Sequence, residues 1–424
     1  MIIIPLIYFT LLTLVWWKRH QGLDVCVYMS GLYAVTLYCG AGVLLSDDML
    51  GEGGILFEPY NLELGLLPTL LFCVLITLGA LPFSLIYNKE IKSFKAPKPL
   101  FLDCFCWLLF FVFLLNFYLV ADSTAEILSG DLSTVRSDHS EGILSPAEIK
   151  ANSLPIIFRY ILYLNHTTIL ALPLFFHYSC SSGKPWWFKV MLIATSLTKP
   201  IAAIQAADRT EFTFYVMMFV FCLIFYWHQL SNSFKRRLML TSSPFAVIIL
   251  LYLVVVSQAR FGGNADDTEK TYEGAIEYAG QNYLNFCYFW EYGNFEKLTL
   301  ERTLPFSTYV VLKVESNADR RSERSAEQGF FMSVFASYIG DVMLDLSPQG
   351  AVLWAAFFFL LCISVIRYSH PEELDVGDAL SIFVLAAIPI FGIFYYRYYS
   401  PQYIYLFLSV IVINIIEKKQ FKYE

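Results

Sequence analysis

Apolar runs of about 17 to 25 residues recur along nearly the whole chain, separated by short polar segments. A helix rising about 1.5 Å per residue needs roughly 20 such residues to cross a hydrocarbon core of about 30 Å. The pattern therefore predicts an all-α polytopic membrane protein with about eleven transmembrane helices. They fall near 2–17, 24–45, 64–87, 100–120, 156–178, 190–207, 211–229, 241–257, 349–366, 377–396 and 402–416. One transmembrane domain over 1–424 is expected, interrupted by two long polar segments, 121–155 and 258–329. Neither an internal repeat nor a low-complexity tract is visible.

The first span has no basic residue before it and is followed by Lys18-Arg19-His20. That polarity is the reverse of a secretory signal and predicts a retained first helix. Basic residues then gather after alternate spans: Lys89, Lys92, Lys95 and Lys98; Lys184 and Lys189; Lys235, Arg236 and Arg237; Arg367; and Lys418, Lys419 and Lys422. With Lys18 and Arg19 these are just over half of the 29 Lys and Arg residues. The opposite short segments hold Arg136, Lys150, Arg209 and Arg397. The positive-inside rule places the N-terminus outside, the C-terminus in the cytoplasm and both long polar segments on the outer face. A bacterial inner (plasma) membrane with a periplasmic face is the natural setting, although the lumenal face of a eukaryotic membrane fits the same chemistry.

Composition removes other classes. With 57% hydrophobic and 15% charged residues, the chain carries too little charge for a soluble domain, where roughly 25% is usual. A formal net charge of −7 without a concentrated basic face argues against nucleic acid as a partner. Eight of the nine cysteines lie in or at the ends of apolar runs and only Cys287 lies in a long polar segment, so no disulfide framework is expected. Cys104-x-Cys106 lacks the second ligand pair of a zinc site. Walker A, Gly-x-Ser-x-Gly, HExxH and Asp-x-Asp patterns are absent, which disfavours a nucleotide-driven pump or a metal hydrolase; no metal or other cofactor is expected.

The second long segment has its own pattern. From Tyr272 to Phe295, the rings of Tyr278, Tyr283, Phe286, Tyr288, Phe289, Trp290 and Tyr292 alternate with Glu273, Glu277, Gln281, Asn282, Asn285 and Glu291. This predicts an amphipathic helix, lying in the interface or packed over the bundle. Its rings suit an anchoring belt or, alternatively, stacking on sugar faces. Further on, Arg320, Arg321 and Arg324 within Ala318–Glu327 read as a solvated charge run.

The most informative charges are those that hydropathy disfavours. Arg159 falls about one turn inside the fifth span and Lys199 near the middle of the sixth, followed by Pro200. Such residues usually face a cavity or a partner, and Pro200 is expected to bend its helix. Arg209 in the turn Asp208-Arg209-Thr210-Glu211, Arg260 after the eighth span and Arg397 between the last two fall at the same outer level. Together these five could form a cationic pocket for phosphate oxygens. Blander readings stand beside it: Arg209 pairing with Asp208 or Glu211, Arg397 snorkelling, Arg260 as a solvated loop charge. For proton transfer the candidates are Asp138 and His139, near Arg136 and Glu141 in the first long segment, and Asp341 and Asp345, four apart and so on one helical face. The first group is open to reading as a solvated loop and the second as structural pairing. His166, mid-span beside Asn165 and Thr167, reads as an inter-helix hydrogen-bonding residue.

Three features resemble the Wzy-type polymerases of bacterial surface polysaccharides: the number and polarity of spans with a large late outer loop, Ala207-Asp-Arg-Thr-Glu-Phe opening one span, and Asp341 to Gly350 leading into another. The resemblance implies a metal-independent, GT-C-like membrane glycosyltransferase. It would transfer a glycan from undecaprenyl pyrophosphate to another lipid-linked repeat unit, in O-antigen or capsule synthesis. Arg209 matches the family's outer-face arginine motif, with Asp208 where many relatives have glycine; Arg159, Arg260 and Arg397 match by location. Implied partners are the lipid-linked oligosaccharide as donor and acceptor, the lipid bilayer and a chain-length regulator. An O-antigen ligase, which uses the same donor, and a lipid-linked oligosaccharide flippase are the alternatives; the two long outer segments speak against the flippase.

Overall fold

The computed structural model describes residues 1–45, 64–86, 89–97, 99–129, 146–181, 183–204, 208–241, 247, 251, 254, 268–296, 298–314, 318–330, 332, 334–369 and 373–419. The chain is an all-α, membrane-embedded protein. Among the described residues the one sheet is a two-residue parallel pairing of Ser93–Phe94 with Glu373–Leu374.

Four helices among the described residues are long and apolar enough to cross a membrane: Val25–Leu45, Leu66–Leu85, Leu100–Ala121 and Ser337–Arg367. Thr210–Tyr226 and Val376–Phe391 are apolar but shorter. The expected count of eleven is therefore not reproduced, for reasons that vary by segment. The helix Ile3–His20 ends in Lys18, Arg19 and His20, which shortens its apolar part. The expected span 156–178 is broken into the helix Ile156–Leu162, a 3-10 stretch Tyr163–Leu170 and the helix Ala171–Ser181. Within that stretch the Thr168 hydroxyl donates to the Asn165 carbonyl at 2.6 Å, a local bond that competes with the α-helical ladder. The expected span 190–207 breaks at Leu197, between the helices Trp186–Ser196 and Thr198–Ala203. Pro200 sits in the first turn of the second piece, where its missing N–H is one the helix would leave unpaired anyway. Most of the expected span 241–257 lies outside the described residues.

Two compact units divide the chain. The first comprises Met1–Tyr87, Asp267–Tyr368 and Val384–Pro401. Its centre is aromatic: Phe72 meets Phe9, Tyr33, Tyr283 and Phe286 with ring centroids 5.2–6.5 Å apart. Tyr283 and Phe286 come from the helix Thr268–Tyr292, which is the helix expected in the second long segment. It packs into this core, and its polar positions are consumed there. Asn282 donates to the Thr36 hydroxyl at 3.0 Å, Tyr283 and Thr69 share a 2.6 Å hydrogen bond, and Asn285 donates to the Phe335 carbonyl at 3.0 Å. Tyr283, Phe286 and Phe289 are fully buried, so the sugar-stacking reading cannot apply to those three rings.

The helix Thr268–Tyr292 approaches Val25–Leu45 at a pair of glycines. A Cβ on Gly280 would lie 2.5 Å from the Gly40 nitrogen and 2.7 Å from the Cys39 carbonyl carbon. Small residues at a crossing allow this backbone-to-backbone packing, a common solution among membrane helices.

The long helix Ser337–Tyr368 is interrupted at Ser347, whose φ of 67° and ψ of 169° are not helical. The residue before proline avoids the α conformation, and Ser347-Pro348 then acts as N-cap and first turn of the apolar segment that follows. The Ser347 hydroxyl accepts from the Gly350 N–H at 3.4 Å, the position an N-cap serves. Positive φ at a serine costs about 1–3 kcal/mol, whereas glycine gives up only a few tenths as a cap. Ser347→Gly is therefore expected to stabilise the protein by about 1 kcal/mol, and Ser347→Ala to destabilise it by a similar amount. Chemical unfolding midpoints in detergent check both; a Gly variant less stable than the Ala variant would refute the assignment.

The second unit comprises Asn88–Asp266, Ser369–Phe383 and Gln402–Glu424. Its helices include Pro99–Ser129, Ala171–Ser181, Thr210–Tyr226 and Tyr403–Lys419. Polar residues pair across them: the amides of Asn116 and Asn165 exchange hydrogen bonds, and Asn414 donates to the Gly377 carbonyl and the Ser381 hydroxyl at 3.1 and 2.9 Å. Ion pairs join Lys184 to Asp103 and Lys418 to Asp378. All nine cysteines are unpaired.

Candidate functional site

Of the residues the sequence singled out, Asp341, Asp345 and Arg397 fall in the first unit and are brought together. Arg159, Lys199 and Arg209 fall in the second. Asp138, His139 and Arg260 lie outside the described residues. Arg159 is exposed on Ile156–Leu162, a helix with no buried side chain. Lys199 is half-buried on Thr198–Ala203. Arg209 is buried, and its carbonyl accepts from the Thr213 N–H at 2.9 Å as the helix Thr210–Tyr226 begins. Asp208 supports the same turn by accepting the Thr210 N–H at 2.8 Å. His166 lies against the Tyr403 ring, centroids 4.2 Å apart.

In the first unit, Asp341 and Asp345 project from one face of the segment that precedes the Ser347 kink, both buried. Asp345 is a hub. Its carboxylate accepts from the Thr299 hydroxyl at 2.8 Å, the N–H groups of Arg302 and Thr303 at 2.7 Å each, and the Thr303 hydroxyl at 2.8 Å. The Arg324 guanidinium stands 3.7 Å from it and pairs with Glu301 at 2.9 Å. Arg302 bonds to Asp341 with one arm of its guanidinium and donates to the Met332 carbonyl at 2.8 Å with the other. Burial pushes the Arg302 guanidinium towards neutrality, but the charges of Asp341 and Asp345 outweigh it and hold the group above its ordinary value.

This network corrects one expectation: Arg324 is buried, not part of a solvated run. The side chains of Arg320 and Arg321 lie outside the described residues. Glu301, Arg302, Thr299 and Thr303 went unnoticed in the sequence. The one available signal was the helix Ala318–Gln328 itself, polar all round within a chain this apolar, a pattern that asks for a charged neighbour.

Arg397 completes the arrangement. The backbone N–H of Tyr396 donates to Asp341 at 2.7 Å, while the N–H groups of Ser337 and Tyr338 donate to the carbonyls of Phe394 and Gly392 at 3.1 and 2.9 Å. The stretch 392–398 is thus clamped against the first turn of the Asp341 helix, satisfying donors that a helix start leaves open. Arg397 itself is 2% exposed, with its guanidinium carbon 5.2 Å from the Phe391 ring centroid, a cation–π distance. Snorkelling, the bland reading of Arg397, does not describe a side chain this buried.

Among the described residues no group of three or more His, Cys, Asp and Glu side chains is placed to hold a metal ion. Fold and site together define an all-α membrane-embedded protein with a buried arginine set beside an ionic network. No family model, curated protein or solved structure matches the chain.

Proposed function

We propose that the protein is a membrane-embedded glycosyltransferase that polymerises pyrophosphate-lipid-linked oligosaccharide repeat units at the outer face of a bacterial inner membrane. The N-terminus lies outside and the C-terminus in the cytoplasm in this reading, following the distribution of basic residues in short segments. The observation that carries it is Arg397, a buried arginine in a membrane-embedded chain. Such a charge is expensive and usually marks a pathway or binding site for a charged group.

In the reaction, an acceptor hydroxyl on one repeat unit attacks the anomeric carbon of another. The bond from that carbon to the pyrophosphate oxygen breaks, and the lipid pyrophosphate leaves with the electron pair. Arg397 holds the pyrophosphate and stabilises the charge that develops on it, the electrostatic contribution that is often largest in catalysis. A base removes the proton from the acceptor hydroxyl. Asp341 and Asp345 are already engaged by internal donors, so neither serves as that base.

Purified protein in nanodiscs, given lipid-linked repeat units alone, is expected to produce a ladder of polymers on a gel. Arg397→Ala is expected to lower the rate about 100-fold or more, the scale seen when a group that stabilises developing charge is removed. A wild-type protein that makes no ladder, or an Arg397→Ala variant at full rate, defeats the proposal. Transfer of finished polymer to a lipid A core in place of ladder growth would identify a ligase.

A further inference from the structure

We infer that Arg302 and Asp341 are positioning residues that hold Arg397 in place through the backbone of Tyr396. The chain of contacts is short. Arg302 grips Asp341, Asp341 accepts the Tyr396 N–H at 2.7 Å, and Arg397 is the next residue. No bond in this chain depends on the Arg397 side chain, so the device sets where its backbone lies.

Charge explains why Arg302 matters to a bond it does not make. Asp341 is 2% exposed. A carboxylate this buried stays ionised only if a partner balances it, and an ionised acceptor forms a hydrogen bond roughly twice as strong as a neutral one. Without Arg302 the buried carboxyl loses the charge that balances it, and its hold on Tyr396 weakens. The Ser337 and Tyr338 clamps remain, so 392–398 loosens without detaching.

Arginine is specifically suited to the task. One arm of its guanidinium bonds Asp341 and the other reaches the Met332 carbonyl at 2.8 Å, so the side chain is fixed at both ends of its planar fork. Lysine supplies the charge but not the fork. Arg302→Lys should therefore retain part of the positioning, and Arg302→Met should lose it.

What Arg397 does rests on the polymerase reading; where it is held does not. The test accordingly has two readouts on the same purified protein in nanodiscs. Hydrogen exchange at 392–398 is expected to rise about tenfold or more in Arg302→Met and less in Arg302→Lys, as a charge-assisted hydrogen bond is lost or weakened. Polymerisation rates are then compared for Arg302→Met, Arg397→Ala and the double variant. Residues acting as one unit lose activity non-additively, so the double variant should be no slower than Arg397→Ala alone. Unchanged exchange in Arg302→Met overturns the inference, and so do losses that multiply in the double variant. Raised exchange in a protein whose wild type makes no ladder upholds the positioning device and defeats the polymerase reading instead. Should Arg302→Met fail to fold, Arg302→Lys decides: exchange and rate both at wild-type values overturn the inference, while a partial change in both supports it.

Discussion

Asp345→Ala is expected to destabilise the protein by about 3–5 kcal/mol, the scale on which removing one partner leaves buried charges uncompensated. Asp345 is 0% exposed and accepts four hydrogen bonds, two from backbone N–H groups that would lose their acceptor. Arg324 would keep Glu301 but lose its second carboxylate. Asp345→Asn keeps the shape and one acceptor oxygen while turning an NH₂ group towards donors, so a smaller loss of about 1–3 kcal/mol is expected. Chemical unfolding in mixed micelles measures both. Net stabilities of about 5–15 kcal/mol are usual, so the alanine variant should also give a poor yield of monodisperse protein. An alanine variant within about 0.5 kcal/mol of wild type would show that the hub does not hold the loop 299–303 to its helix.

Gly280→Ala is expected to cost about 3 kcal/mol, the upper end of the range for overpacking. The added carbon would meet the Gly40 nitrogen at 2.5 Å and the Gly40 Cα at 2.7 Å. Both are backbone atoms, which cannot rotate aside as a side chain would, so the helices Thr268–Tyr292 and Val25–Leu45 must move apart. The separation would also strain the Asn282–Thr36 hydrogen bond between them. Gly183→Ala is the matched control, because a Cβ there meets nothing within 4 Å. Equal thermal midpoints for the two variants would refute the close crossing.

Much of this molecule could be read one residue at a time. Asp341 and Asp345 were placed on one helical face by their spacing, and the structure puts them there. A helix was expected within Tyr272–Phe295 from its alternating aromatic and polar positions, and Thr268–Tyr292 is helical. Its location was left open between an interface and the bundle, because the same amphipathic pattern serves a membrane surface and a core that needs polar contacts. The Asn282–Thr36 and Asn285–Phe335 bonds show the second use. The break in 156–178 escaped notice because no glycine or proline marks Tyr163–Leu170; polar side chains that bond locally and to Asn116 take that role.

Hydrophobic runs and their lengths determined that this is an all-α, membrane-embedded chain, since crossing a bilayer imposes a local requirement that every stretch of sequence displays for itself. Tertiary structure alone decided the partners of the charges. Arg302 and Asp341 are 39 residues apart, Arg324 and Glu301 are 23, and Tyr396 and Asp341 are 55. No period connects such positions. An arginine in a polar loop carries the same letters whether water or a carboxylate surrounds it, and only folding, by excluding the water, makes the pairing obligatory.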